Sequence, residues 1–244
     1  LLAMRLSPQG DALWVLASGP AQLIRIDSGR LQVAGRVPLP AEPAEFDLAP
    51  DGNLAAVTHP GGDVSLVDLT SMTLRSTAAA GESAGAVVFR VDGQLALVAD
   101  PSRKTVAAVR TADGRIITRL QLAVRPRRFR FKNDGGELFI TGDGMDAVVI
   151  VNPYRTEVAE TVLAGREPGA MAFSRSPEYL FITNTPSGDV TVLDPEMRRV
   201  IAVTAVGEEP HFVAVTPDDG YALILNRRSG TLAVIRPGSV VRSR

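Results

Sequence analysis

Short apolar runs, four to seven residues long and broken every ten or so by Pro, Asp, Asn, Ser or Gly, organise the whole chain. Many of them lack strict polar alternation: LALVA, AVVIV and YALIL are nearly continuous in apolar character. Interruption at this frequency rules out long helices and predicts many short strands. The near-continuous runs predict strands covered on both faces. The turns are periodic. SPQG, APDG, RVDG, KNDGG, SRSPE and TPDDG recur near Ser7, Ala49, Arg90, Lys132, Ser174 and Thr216, each 42 residues after the last except for one step of 41. A repeat of this length that holds four short strands is a β-propeller blade. The reading is a single all-β propeller domain over residues 1–244, six visible blades of about 42 residues each, with units opening near Leu1, Pro43, Ala84, Pro126, Pro168 and Pro210.

The fifth unit illustrates the assignment. Met171 to Ser174 is predicted as the innermost strand, Tyr179 to Asn184 as the second, Asp189 to Asp194 as the third and Arg199 to Val206 as the outermost. Gly207 to Pro210 then crosses to the next inner strand. Third strands are expected to end at Asp27, Asp68, Arg110, Asn152, Asp194 and Arg236. The sixth unit is incomplete: its fourth strand would only begin at Val240 to Arg244. Six blades within this stretch is the favoured count, with a seventh in the parent protein as the alternative.

Balanced charge, 26 basic against 27 acidic residues, speaks against nucleic-acid binding through a broad basic surface. No run approaches the roughly 20 apolar residues of a membrane-spanning helix. With no cysteine, thiolate metal sites and cysteine nucleophiles are excluded, and two histidines, His59 and His211, are too few for a three-histidine metal site. The same scarcity disfavours a haem-associated or electron-transfer propeller. No phosphate loop and no nucleophile elbow occur. The acids Asp63, Asp100, Asp143, Asp146 and Asp189 lie on separate repeats without a compact calcium-loop spacing, so turn stabilisation is their expected role. No catalytic residue, metal or cofactor is assigned.

Candidate chemistry sits where the crossovers and the loops between second and third strands share one face. At equivalent inner-strand positions the repeats place Arg5, Asp47 and Arg130, and two residues earlier Glu45 and Arg128, in columns that are otherwise small or apolar. Residues two apart on a strand share a face, so Glu45 with Asp47 forms an acidic pair and Arg128 with Arg130 a basic one. Unpaired charge there is costly. One reading is a wet channel with structural ion pairs of the Arg5–Asp47 type. The other is an anionic ligand held by Arg127, Arg128 and Arg130, with bidentate guanidinium geometry. His59 and His211 are both expected at this mouth as exposed loop histidines.

FITN at Phe181 to Asn184, FITG at Phe139 to Gly142 and AVTH at Ala56 to His59, with the PDG turn and the V-x-V-x-D third strand, resemble the YVTN family of β-propeller repeats. The resemblance implies a propeller, typically seven-bladed, often in exported or surface-layer-like bacterial proteins, and hence a periplasmic or extracellular location. It also brings in lactonases of similar general appearance, which keep an acid/base and arginine cluster at the central channel. Glu45, Asp47, Arg128, Arg130 and His211 would be the counterparts here. Two functions follow. The first is a non-enzymatic scaffold that presents its loop-rich mouth to a protein, glycan or small anionic ligand. The alternative is a lactonase-like hydrolase acting at the mouth.

Overall fold

The computed structural model describes residues 1–240. Its strands form six antiparallel sheets, five of four strands and one of three. Each sheet is a meander of strands consecutive in sequence. The first comprises β1 (Ala3–Leu6), β2 (Ala12–Ser18), β3 (Ala21–Asp27) and β4 (Gln32–Pro38). The second comprises β5 (Glu45–Leu48), β6 (Leu54–Thr58), β7 (Asp63–Asp68) and β8 (Thr73–Ala79). The third runs β9 (Val87–Phe89), β10 (Leu95–Asp100), β11 (Thr105–Arg110) and β12 (Ile116–Gln121). β13 (Arg125–Phe131), β14 (Leu138–Asp143), β15 (Ala147–Asn152) and β16 (Glu157–Leu163) make the fourth. β17 (Pro168–Phe173), β18 (Leu180–Asn184), β19 (Asp189–Asp194) and β20 (Arg199–Ala205) make the fifth. The last has only β21 (Pro210–Val215), β22 (Ala222–Asn226) and β23 (Thr231–Ile235). A short helix, α1 (Pro237–Val240), follows. The expected onset of a fourth strand at Val240 to Arg244 lies, apart from Val240, outside the described residues.

The chain divides into two compact units, Leu1–Pro126 and Arg127–Arg244. In the first, Leu16 and Leu23 pack with Phe46 and Val57, and Ala56 and Leu66 pack with Val98 and Ala107. In the second, Phe139 and Ile150 pack with Phe173 and Ile182, and Phe181 and Val192 with Val213 and Ile224. Middle strands are therefore covered on both faces: β6 and β18 are buried at every residue. That is why their sequences lack polar alternation. The outermost strands β8 and β16 are mostly exposed. In all five complete sheets the pairing of third to fourth strand slips at an equivalent point, Arg25/Ile26, Leu66/Val67, Ala108/Val109, Ile150/Val151 and Val192/Leu193. A bulge repeated at this register adds right-handed twist to each sheet.

The threonine of the FITG- and AVTH-type tetrapeptides joins neighbouring sheets. Thr58 Oγ1 donates to the Gly85 carbonyl and Thr141 Oγ1 to that of Gly169, each at 2.7 Å. These crossover carbonyls would otherwise lack a ladder partner, so the hydroxyl satisfies a partly buried backbone acceptor.

Candidate functional site

In unit two, strand direction alone collects side chains at one edge. The starts of the inner strands β13, β17 and β21 lie beside the ends of the second strands, as in the pairing of Pro168 with Asn184 and of Pro210 with Asn226. Arg127 and Arg128 come from β13, Asp143 from the end of β14, Glu167 to Ala170 from the crossover into β17, Thr185 from the loop after β18 and His211 from β21. Together they line a cavity of about 250 Å³.

The groups in this cavity differ in what they have free. The Arg127 guanidinium donates to Asp143 Oδ2 at 2.5 Å, and the carboxylate holds the guanidinium pKa above its ordinary value. Its charge is matched within the protein. Arg128 and His211 are exposed and make no hydrogen bond or ion pair with any described residue. Glu167 is also exposed, and its backbone is in the left-handed region at φ 46°, immediately before Pro168. Its N–H is held by Asp146 Oδ1 at 3.0 Å. A non-glycine residue in this conformation is uncommon, and the constraint concentrates where backbone geometry is over-determined. At Gly169, an added Cβ would lie 3.3 Å from Thr183 Oγ1, which takes the N–H of Ala170 at 3.0 Å. The small residue lets the crossover sit tightly on β18 and leaves the cavity open.

The other predicted site residues form a separate cluster in unit one. Arg5 Nη2 pairs with Glu45 Oε1 at 3.1 Å, lies 5.7 Å from the Phe46 ring centroid and donates to the Met4 carbonyl. Asp47 does not pair with Arg5. Its Oδ2 accepts the Phe89 N–H at 2.9 Å, tying the second sheet to the third. Burial is the main cause of its pKa rising to about 6, opposed by that backbone bond and by the Arg5 charge. Arg130 is exposed on β13 but does not line the unit-two cavity. Of the predicted residues, then, Arg127, Arg128 and His211 come together, and Arg5, Glu45 and Asp47 come together elsewhere.

His59 corrects an expectation. It is buried, with Nδ1 at 3.1 Å from the Glu42 carbonyl and Nε2 at 2.8 Å from Ser65 Oγ. Both ring nitrogens are engaged, so it braces a loop. Asp100 stabilises its turn: it accepts the N–H groups of Glu82, Ser83 and Arg103. Among the described residues no cluster of histidine and carboxylate groups could hold a metal ion, and no helix is long and apolar enough to cross a membrane. Glu167 and Thr185 were absent from the predicted site. The recurring Glu-Pro of GREP and GEEP was the available signal, and Glu209, like Glu167, has positive φ at 54°.

No family model matches this chain, and no curated protein matches it. Many solved structures are similar, among them the following two. The first is hydrazine synthase of Kuenenia stuttgartiensis, with TM-score 0.64 and 17% identity over 96% of this chain and 94% of that one. The second is the dihydro-heme d1 dehydrogenase NirN in complex with DHE, with TM-score 0.78 and 16% identity over 96% of this chain and 56% of that one. At such identity the likeness speaks for an all-β, propeller-type fold and does not extend to YVTN membership. It also corrects the functional expectation. Both neighbours are named as enzymes, so the non-enzymatic scaffold drawn from the sequence, and the expectation that the chain is not an enzyme, are withdrawn.

Proposed function

We propose that the chain is a lactonase-like hydrolase of small anionic esters, with its reaction centre in the unit-two cavity. One observation carries the reading: an unpaired guanidinium, Arg128, and an unpaired imidazole, His211, line one small cavity whose other arginine, Arg127, is already neutralised by Asp143. In this reading Arg128 anchors substrate charge and stabilises the oxyanion that forms on the carbonyl oxygen. His211 takes a proton from the attacking water. The water oxygen bonds to the carbonyl carbon, the ester C–O bond breaks, and the proton passes from the imidazole to the leaving alkoxide. The products are an alcohol and a carboxylic acid, which releases its remaining proton to solvent as the carboxylate. The base role moves here from Glu45 and Asp47, because Glu45 is held by Arg5 and Asp47 by the Phe89 N–H.

The DHE of the second neighbour suggests a tetrapyrrole, but the unit-two residues do not fit one. The cavity of about 250 Å³ lies below the about 300–1,000 Å³ of drug-sized ligands, and a macrocycle is larger than it can hold. The YVTN-type resemblance supports an extracytoplasmic location as part of this proposal.

The test is turnover of sugar lactones with and without a carboxylate. Arg128→Ala should lower kcat/KM by about 10²-fold or more on the anionic substrates. His211→Ala should lower kcat by about 10²–10⁴-fold. Glu45→Gln should leave both constants unchanged. No turnover of any lactone, or turnover indifferent to both the Arg128 and His211 changes, refutes the proposal.

A further inference from the structure

At the opposite edge of the sheets in unit one lies a larger cleft, of about 540 Å³, between the first and second sheets. It is built from the turn joining β1 to β2, from β2 and β3, and from the corresponding turns of the second sheet. Its volume falls within the range of small-molecule sites, about 300–1,000 Å³.

The register shows what is special about it. Arg25 on β3 stands directly across from Trp14 on β2. At the equivalent third-strand position the other five sheets carry Leu66, Ala108, Ile150, Val192 and Val234. One repeat thus replaces a conserved-in-kind apolar position with a guanidinium, and sets it against the only tryptophan in the chain. Core packing gives no reason for that exchange, since in the other complete sheets Leu66, Ala108, Ile150 and Val192 are all buried at this position; only Val234 of the three-stranded sheet is exposed. Both residues line the cleft.

The polar groups around them are pre-set. Arg25 Nη2 pairs with Asp11 Oδ2 at 3.0 Å, and Asp11 Oδ1 takes the Ser7 hydroxyl at 2.6 Å. Gln9 Nε2 donates to the Asp51 carbonyl at 2.8 Å, and Asn53 donates to both carboxylate oxygens of Asp51. The walls therefore offer donors and acceptors side by side, with the largely buried Trp14 and Leu69 behind them. Two carboxylates against one guanidinium disfavour an anion. A hydroxyl group, which donates and accepts at once, can use an Asp–Arg pair without breaking its charge balance.

We infer that this cleft binds a neutral polyhydroxylated small molecule of mono- or disaccharide size, at a site separate from the proposed reaction centre. Trp14 is its built-in reporter: with one tryptophan in the chain, all indole emission comes from the cleft wall. The purified chain is titrated with glucose, N-acetylglucosamine, maltose and cellobiose, alongside citrate and glycine, while emission is followed, and binding is checked by calorimetry. A saturable response to at least one neutral saccharide is expected. Arg25→Leu, which installs the residue type of Leu66, should weaken it about tenfold or more, and His211→Ala should leave it unchanged. Asp51→Asn should also weaken it, a second check that leaves the column residue in place. The inference is overturned by the absence of any response to the four sugars in emission and calorimetry, by a response confined to citrate or glycine, or by sugar affinity in the Arg25 and Asp51 variants equal to that of the parent chain. Lactone turnover is read independently, so either proposal can fail alone.

Discussion

Asp47 makes the stability of unit one depend on pH in a direction opposite to that of most carboxylates. Its carboxyl is raised from 3.8 to about 6, mainly by burial. The folded state therefore holds a proton that the unfolded chain releases. The resulting stabilisation is fully present below about pH 4 and is lost as pH rises through about 6. At about 1.4 kcal/mol per pKa unit, a rise of about two units costs the native state on the order of 3 kcal/mol at neutral pH. Asp47→Asn removes this cost while its amide oxygen can still accept the Phe89 N–H now bonded at 2.9 Å. Arg5 keeps Glu45, 3.1 Å away, so the exchange strands no cation. Urea unfolding of both proteins is measured between pH 4.5 and 8. The stability advantage of the variant should grow from about 1 kcal/mol at the acid end to about 3 kcal/mol at the alkaline end. The latter corresponds to a rise of about 6–12 °C in Tm for a chain of this size. An advantage that does not change with pH, or a variant less stable than the parent at pH 8, would refute the assignment of the cost to desolvation of this carboxylate.

Two further substitutions test the packing. Gly62 has φ +97°, and an added Cβ would run into the Gly81 carbonyl oxygen and the adjoining backbone of Gly81 and Glu82. Gly62→Ala should cost about 1–3 kcal/mol in denaturant unfolding, and a loss below a few tenths would show that the crossover yields freely. Phe181 is fully buried between the fifth and sixth sheets, so Phe181→Ala should lower stability by about 3–5 kcal/mol, read as a shift of the urea midpoint.

The repeat was legible because strand pairing in a meander is local. The fifth unit shows how closely: Asp189–Asp194 is the third strand as expected, and its neighbours differ by a residue or so, apart from an inner strand that begins earlier, at Pro168. The site was legible only in part. Arg127, Arg128 and His211 could be placed at one edge because strand direction dictates which termini meet. His59 could not be read correctly, since its burial depends on Ser65 and Glu42 closing around the ring.

Fold type, strand order and the columns of equivalent positions were written into the spacing of turns and apolar runs, because backbone hydrogen bonding imposes one period on every repeat. Which charges are consumed and which stay free was decided by folding. Arg5 takes Glu45 rather than Asp47, Asp47 takes a backbone N–H 42 residues away, and Arg127 takes Asp143 while Arg128, its chain neighbour, faces the cavity unpaired. The physical reason is range: an ion pair or hydrogen bond is settled within a few ångströms, a scale on which adjacent residues part company and distant ones meet.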